Sequence, residues 1–308
     1  MEYITSSDFH FKDTAVALGK FEGIHRGHQL LMDEVKKQEL HGLRSVVFTF
    51  DRPTRLTLTG DTEYKQIYTK KERREILEKR GIDILIEHPF TKEFAALTPD
   101  RFIREVLVEK VGAKVIVVGT DFHFGKNRSG SITDLEKLEE ECGYHLIVVE
   151  KLQLNGKDIS STRIRASLEK GAMEEAKALL GRNYSVSGEI LHGNALGRTI
   201  QVPTINQQVP SFKLLPPNGV YVSKIHWKDE VYYGITNGTK PTVNNTSEKT
   251  VETNIFDFNK DVYGEEMVVE LLHYHRKETR FSSVEALQAQ LFQDIEFGKQ
   301  YVANVLSH

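Results

Sequence analysis

Read from the N-terminus, the chain alternates short apolar runs with segments whose apolar residues recur at helical spacing. The runs are Ala15–Leu18, Ser45–Phe50, Ile82–Glu87, Lys114–Val118 and Leu146–Val149. Short, largely apolar runs of this kind suit strands buried on both faces. Between them lie Gln29–Leu40, Lys71–Arg80, Pro99–Val111 and Asp134–Cys142, with Phe102, Val106 and Val111 marking the periodicity of the third. Thr98 before Pro99 reads as an N-cap followed by a first-turn proline. Strands alternating with helices predict an α/β domain, a doubly wound parallel sheet covered by helices. Such sheets take ligands where strands end and helices begin.

After Gly181 the rhythm changes. Tyr184–Leu191, Gly219–His226, Val231–Thr236, Val251–Phe258 and Glu266–His273 alternate polar and apolar residues. Turn signals such as His192-Gly193-Asn194, Pro216-Pro217-Asn218-Gly219 and Asn237-Gly238 separate them. This half predicts a closed antiparallel β-barrel. An amphipathic helix, Ser283 to Val302, ends the pattern. The expected domains are 1–182 and 183–308.

Composition narrows the classes. The 308 residues are 39% hydrophobic and 28% charged, with a net charge of −3. That is a globular composition with room for two domains and no overall basic surface for nucleic acid. No run of about 18 apolar residues suggests a membrane span, and the N-terminus lacks signal-peptide character. The lone cysteine, Cys142, rules out an intrachain disulfide. Cytoplasm is the expectation, with no obligate protein partner evident.

Three stretches carry candidate chemistry in the first half. Gly19-Lys20-Phe21-Glu22-Gly23-Ile24-His25-Arg26-Gly27-His28 joins a strand to a helix. Its glycines let backbone approach a ligand, and the helix N-terminus favours phosphate. His25 and His28, three apart, can donate to phosphoryl oxygens from one face; the alternative is a glycine turn with two surface histidines. Val118-Gly119-Thr120-Asp121-Phe122-His123-Phe124-Gly125-Lys126-Asn127-Arg128 also follows a strand. It reads as an aromatic cradle for a flat heterocycle or as a core-capping loop. Ser160-Ser161-Thr162-Arg163-Ile164-Arg165 reads as a helix cap or as a polyphosphate clamp. In the second half, Thr204 and Asn206 are hard oxygen donors two residues apart, suited to Mg²⁺ or simply exposed on a strand.

The H-R-G-H and S-S-T-R-I-R segments, with G-T-D-F-H-F-G-K-N-R between them, resemble the adenylyltransferase module of the prokaryotic bifunctional riboflavin kinase/FMN adenylyltransferase (FAD synthetase) family. Val202-Pro203-Thr204-Ile205-Asn206, Asn218-Gly219-Val220-Tyr221 and Val251-Glu252-Thr253-Asn254-Ile255-Phe256-Asp257-Phe258 resemble its kinase module, so the likeness spans nearly the whole chain. It implies that riboflavin is phosphorylated to FMN and FMN adenylylated to FAD, with ATP and Mg²⁺. It implies catalytic roles for His25, His28, Arg163 and Glu252, the last as general base. It implies ATP or phosphate contacts at Gly19, Phe21, Gly27, Ser161, Thr162, Gly193, Gly197 and Arg198. Flavin contacts fall at Asp121, Phe122, Phe124 and Arg128, and Mg²⁺ at Thr204 and Asn206. The chain departs from the family at Glu22, where aspartate is usual, and at Asp51-Arg52-Pro53-Thr54, which lacks the histidine of a P-H-P element. Gln201 and Ile205 replace the usual glycine and alanine. The narrower alternatives are a chain with one strong activity, FMN adenylyl transfer above all, and a flavin- or RNA-binding regulator on an enzyme scaffold.

Overall fold

The computed structural model describes residues 1–53, 60–61, 63–192, 202–241 and 249–307. Its first sheet has six parallel strands: β1 (Glu2–Ile4), β2 (Thr14–Leu18), β3 (Arg44–Phe50), β4 (Ile84–His88), β5 (Ala113–Gly119) and β6 (His145–Val149). They lie in the order β1-β4-β3-β2-β5-β6. All five residues of β2 are buried. Val16 and Leu18 face Phe102, Ile103, Leu107 and Leu135. Ala15 and Ala17 face Leu31, Met32 and Val35 of α1 (Arg26–Lys37) and Leu77 of α2 (Lys70–Lys79). Helices therefore cover both faces, and each large side chain so buried contributes about 1.5–3 kcal/mol of transfer free energy.

Two short helices follow, α3 (Lys92–Ala95) and α4 (Pro99–Arg101); the Thr98 hydroxyl accepts from the Arg101 amide as an N-cap. The chain then runs as a π-helix over Phe102–Lys110 rather than as the expected α-helix, and the Val111 amide donates to the Val106 carbonyl, five residues back. Helix α5 (Ile132–Cys142) precedes β6, and a hairpin of β7 (Gln153–Leu154) and β8 (Lys157–Asp158) follows it. The three-residue β1 carries too little pattern to be visible in sequence; it pairs with β4.

The chain divides into two compact units, Met1–Ser161 and Thr162–His308. Helix α6 (Ser161–Glu169) begins at this division, within the stretch read as a helix cap, and α7 (Met173–Leu180) follows. The chain pattern groups these helices with the parallel sheet. In the structure α7 packs with the barrel: Glu174 pairs with His273 at 2.6 Å.

The barrel is closed by six strands, β9 (Tyr184–Leu191), β10 (Ile205–Val209), β11 (Gly219–Trp227), β12 (Glu230–Pro241), β13 (Lys249–Ile255) and β14 (Glu266–Lys277). Their order is β10-β13-β12-β11-β14-β9. Val186, Val209 and Val251 pack together, and Thr236 and Thr253 share a buried 2.9 Å hydrogen bond. Helix α8 (Val284–Leu306), capped by the Ser283 hydroxyl, lays Val302 against Val220, Val222 and Ile235.

Gly188 on β9 marks a close approach, since a Cβ there would stand 1.9 Å from the Gln208 carbonyl oxygen. Gly188→Ala forces two backbones apart. It is expected to destabilise the barrel by about 1–3 kcal/mol, read as a lower midpoint in chemical denaturation followed by the Trp227 signal; an unchanged midpoint would show that the strands separate freely.

Candidate active sites

Strand β2 has β3 on one side and β5 on the other. The chain leaves β2 towards β3 and later returns on the opposite side, so the connections after β2 and β5 diverge and leave a crevice at their carboxyl ends. The first two candidate stretches are these connections.

Gly19 leaves the strand beneath the Phe21 ring, where a Cβ would lie 2.9 Å from a ring carbon. Phe21 and Ile24 take left-handed backbone angles, φ 45° and 42°, a strained state for side-chain-bearing residues. Both are wholly buried, and that burial holds the strain in place. Phe21 accordingly seats the loop, its ring edge-on to His28 at 5.1 Å, rather than facing solvent.

His25 caps α1, and its Nδ1 accepts from the His28 amide at 3.2 Å. The helix thus starts three residues before the expected Gln29. An imidazole accepting at Nδ1 carries its proton on Nε2 when neutral, which makes the distal edge of His25 a donor. The His25 and His28 rings stack at 3.6 Å. One helix N-terminus therefore presents both imidazoles together with its own amides.

In the connection after β5, Phe124 is a core residue. It lies 5.4 Å from Phe102 and 5.5 Å from Phe122 and pairs in a short bridge with Gly130. Phe122 is half-buried. Asp121 is exposed and pairs with Lys151 at 3.1 Å. Asn127 and Arg128 hold left-handed angles of 54° and 59°, and the Arg128 side chain is exposed. Ser161 and Thr162 open α6. Arg163, one residue on, donates to Glu175 at 3.0 Å, and that bond is the main reason the Glu175 carboxyl titrates below its ordinary range.

Glu22 has a structural use. Its carboxylate accepts from the Tyr64 hydroxyl at 2.8 Å and the Ile67 amide at 3.2 Å. Asp51 accepts from the Arg52 guanidinium at 2.9 Å and the Phe90 amide at 3.0 Å; Thr54 lies outside the described residues. Glu22, Arg52 and Tyr64 border an open cleft of about 460 Å³, its mouth included, lined also by Lys20, Phe50 and Arg73. Sequence reading passed over Lys20. Burial, then the nearby Arg128, lower its pKa, and Glu22 partly opposes them.

In the barrel, register does what spacing cannot. Asn206 stands directly opposite Glu252, and Glu252 directly opposite Asn237. Residues facing each other across antiparallel strands share a face, with Cβ atoms about 5 Å apart. Ile205, Gln207, Val209, Val251 and Thr253 are buried on the other side. The half-buried row Asn206–Glu252–Asn237 therefore lies on the barrel's outer face. Ile205, one of the departures, points away from it. The Pro203 carbonyl accepts from the Asn254 amide group at 2.8 Å, which anchors the segment carrying Thr204. Gly193, Gly197, Arg198 and Gln201 lie outside the described residues. Among those described, no three His, Cys, Asp or Glu side chains gather as a metal cluster, but hydroxyl, carboxamide and carboxylate oxygens are the donors Mg²⁺ prefers.

Residues 8–163 match the FAD synthetase family and residues 180–302 the riboflavin kinase family. A bifunctional riboflavin kinase/FMN adenylyltransferase of Listeria monocytogenes is 32% identical, covering 98% of this chain and 96% of its own. The chain belongs to that bifunctional family. A member from Bacillus subtilis is 34% identical over 95% of this chain and 93% of its own. A crystal structure from Streptococcus pneumoniae described as a macrolide-efflux protein has the same fold: TM-score 0.85 and 32% identity, covering 96% of this chain and 97% of that one. Among the described residues no helix is long and apolar enough to cross a membrane.

The sequence marks Asn237 only as the start of a turn and of a segment like the kinase module; the register sets it directly opposite Glu252. The longer reach of Glu22, by contrast, explains its departure from aspartate, since it ties the Gly23 loop to the 64–67 segment. Glu22→Ala removes the acceptor of the Ile67 amide, and exchange of that amide is expected to quicken by about tenfold or more. Hydrogen exchange unchanged at Ile67 would deny the tie.

Proposed function

We propose that this chain phosphorylates riboflavin to FMN and adenylylates FMN to FAD, consuming ATP in each step. Residues 1–182 would carry adenylyl transfer and 183–308 phosphoryl transfer. The observation that carries the proposal is the Asn206–Glu252–Asn237 row: it joins distant kinase segments on one face of the barrel, in a chain that also caps α1 with His25 beside His28.

In the kinase reaction, Glu252 takes the proton of the ribityl 5′-hydroxyl as that oxygen bonds to the γ-phosphorus and ADP leaves. Thr204 and Asn206 would hold Mg²⁺, which neutralises phosphate charge when bound. Gly193, Gly197 and Arg198 are assigned to ATP phosphates. In the adenylyl reaction, a phosphate oxygen of FMN attacks the α-phosphorus of ATP and pyrophosphate leaves. His25 and His28 donate to phosphoryl oxygens as charge builds, and Gly19 and Gly27 allow close backbone approach. Ser161, Thr162 and Arg163 are assigned to ATP phosphates, and Asp121, Phe122 and Arg128 to the flavin side; Phe124 and Phe21 serve by packing beneath their loops. ATP chemistry and a lone free thiol, Cys142, suit the cytoplasm.

Purified protein given riboflavin, ATP and Mg²⁺ should yield FMN and then FAD by chromatography; neither product would refute the reading. Glu252→Gln is expected to cut FMN formation by about a hundredfold or more and to spare FAD formation from supplied FMN. His28→Ala should do the reverse. Loss of both activities in either folded variant would refute separate sites. Chelation of divalent cations should stop FMN formation, with activity returning on added Mg²⁺.

A further inference from the structure

Successive strands set their outward residues side by side at one level of the barrel. Val220 of β11 stands opposite Asn237 of β12, Asn237 opposite Glu252 of β13, and Glu252 opposite Asn206 of β10. Asn237 is where this level changes character. On one flank lies the apolar layer beneath α8, with Val220, Val222, Ile235 and Val302. Ile235 precedes Asn237 by two residues on the same strand and so shares its face. On the other flank lie Glu252 and Asn206.

The carboxamide gains little from its apolar flank. Its Oδ1 is buried, and among the described residues no donor reaches it. A buried, unpaired amide oxygen costs stability, and an apolar side chain of similar shape would cost less. Packing alone therefore does not account for an asparagine here. The backbone around it is closely held. A Cβ on Gly238 would stand 2.8 Å from the Asn218 Cα, so the chain leaving Asn237 is pressed against the residue before β11. The pairing of β12 with β13 shifts register immediately after Asn237, and such irregularities re-aim side chains beside active sites. Residues directly opposite each other hold their Cβ atoms about 5 Å apart, a gap that an asparagine amide and a glutamate carboxylate close by side-chain rotation. With an apolar layer on its other flank, the amide has Glu252 as the charged neighbour in its row. Catalytic hydrogen bonds often close only around bound substrate.

We propose that Asn237 is the positioning residue for Glu252 in phosphoryl transfer: its Nδ2 donates to one carboxylate oxygen and turns the other towards the attacking hydroxyl. The inference rests on the kinase reading above and gives a task to a side chain that the reading leaves without one. Asn206 flanks Glu252 on the metal side and Asn237 on the opposite side, so the carboxylate is oriented from both. A base free to swing loses its alignment, and misplacement on this scale lowers rate more than affinity.

The test is steady-state kinetics of riboflavin phosphorylation (FMN plus FAD formed) by the full chain bearing Asn237→Leu, Asn237→Asp or Asn237→Gln, with the midpoint of chemical denaturation read on each through the Trp227 signal. Asn237→Leu should lower kcat by about tenfold or more and leave KM for riboflavin and for ATP within about twofold. Its midpoint should be unchanged or raised, because an apolar group replaces an unpaired amide. Asn237→Asp keeps the shape but sets a carboxylate against a carboxylate, and should lower kcat at least as far. Asn237→Gln, which keeps the donor, should recover part of the loss. FAD formation from supplied FMN should be unaffected in all three. An unchanged kcat in Asn237→Leu, with FMN still formed by the wild-type chain, overturns this inference alone. A fall in kcat that tracks a fall in midpoint also overturns it, assigning the residue to folding. So does a rise confined to KM for riboflavin, which assigns the carboxamide to the substrate. A wild-type chain that makes no FMN from riboflavin overturns both the inference and the reading beneath it.

Discussion

The first unit depends on the burial of β2 on both faces. Because Ala15, Ala17, Val16 and Leu18 all face apolar layers, the strand can only sit at the centre of the sheet, with β3 and β5 on either side. A central strand whose neighbours are reached in opposite directions creates the crevice. The loop after β2 is then pressed into place by Phe21 and Ile24, both fully buried despite left-handed angles. Burying two large side chains contributes several kcal/mol, against about 1–3 kcal/mol of strain at each. The balance favours a rigid loop, and rigidity is what a transfer reaction without a covalent enzyme intermediate requires, since most of its rate comes from position and fixed charge.

The barrel solves the same problem through register. A side chain on a strand gains its partners from whichever residues lie opposite, and a slip of one position would send Glu252 to the interior. The interior forbids that slip: Thr253 shares a hydrogen bond with Thr236 at 2.9 Å, and Gln207 donates to the Met267 carbonyl at 2.6 Å. Polar groups inside the barrel therefore hold the polar row outside it. Closure of the sheet removes free edges and makes the register of each strand depend on the others.

Much of this was legible in the chain pattern. Both fold classes, five strands of the sheet and the terminal helix follow from apolar periodicity, because long buried segments leave strong periodic signals. What escaped has physical causes. Strand β1 is three residues long, too short to show a period. The π-helical turn at Phe102–Lys110 keeps apolar spacing close to that of an α-helix. At the sites, local motifs announced His25, His28 and Glu252. The pairing of Asn237 with Glu252 remained hidden, since it comes only from the register of two strands.

Glu22 shows how a departure from a family pattern is best weighed. A glutamate in place of aspartate keeps its charge and adds a methylene, and by sequence alone this reads as a change at the ligand. In the structure its carboxylate is occupied by Tyr64 and the Ile67 amide. The same charge also acts on Lys20, whose pKa it partly restores. The longer reach is thus what ties down the 64–67 segment. A substitution that looks like a change at the ligand becomes, through the partners it selects, a way of fixing one loop against another.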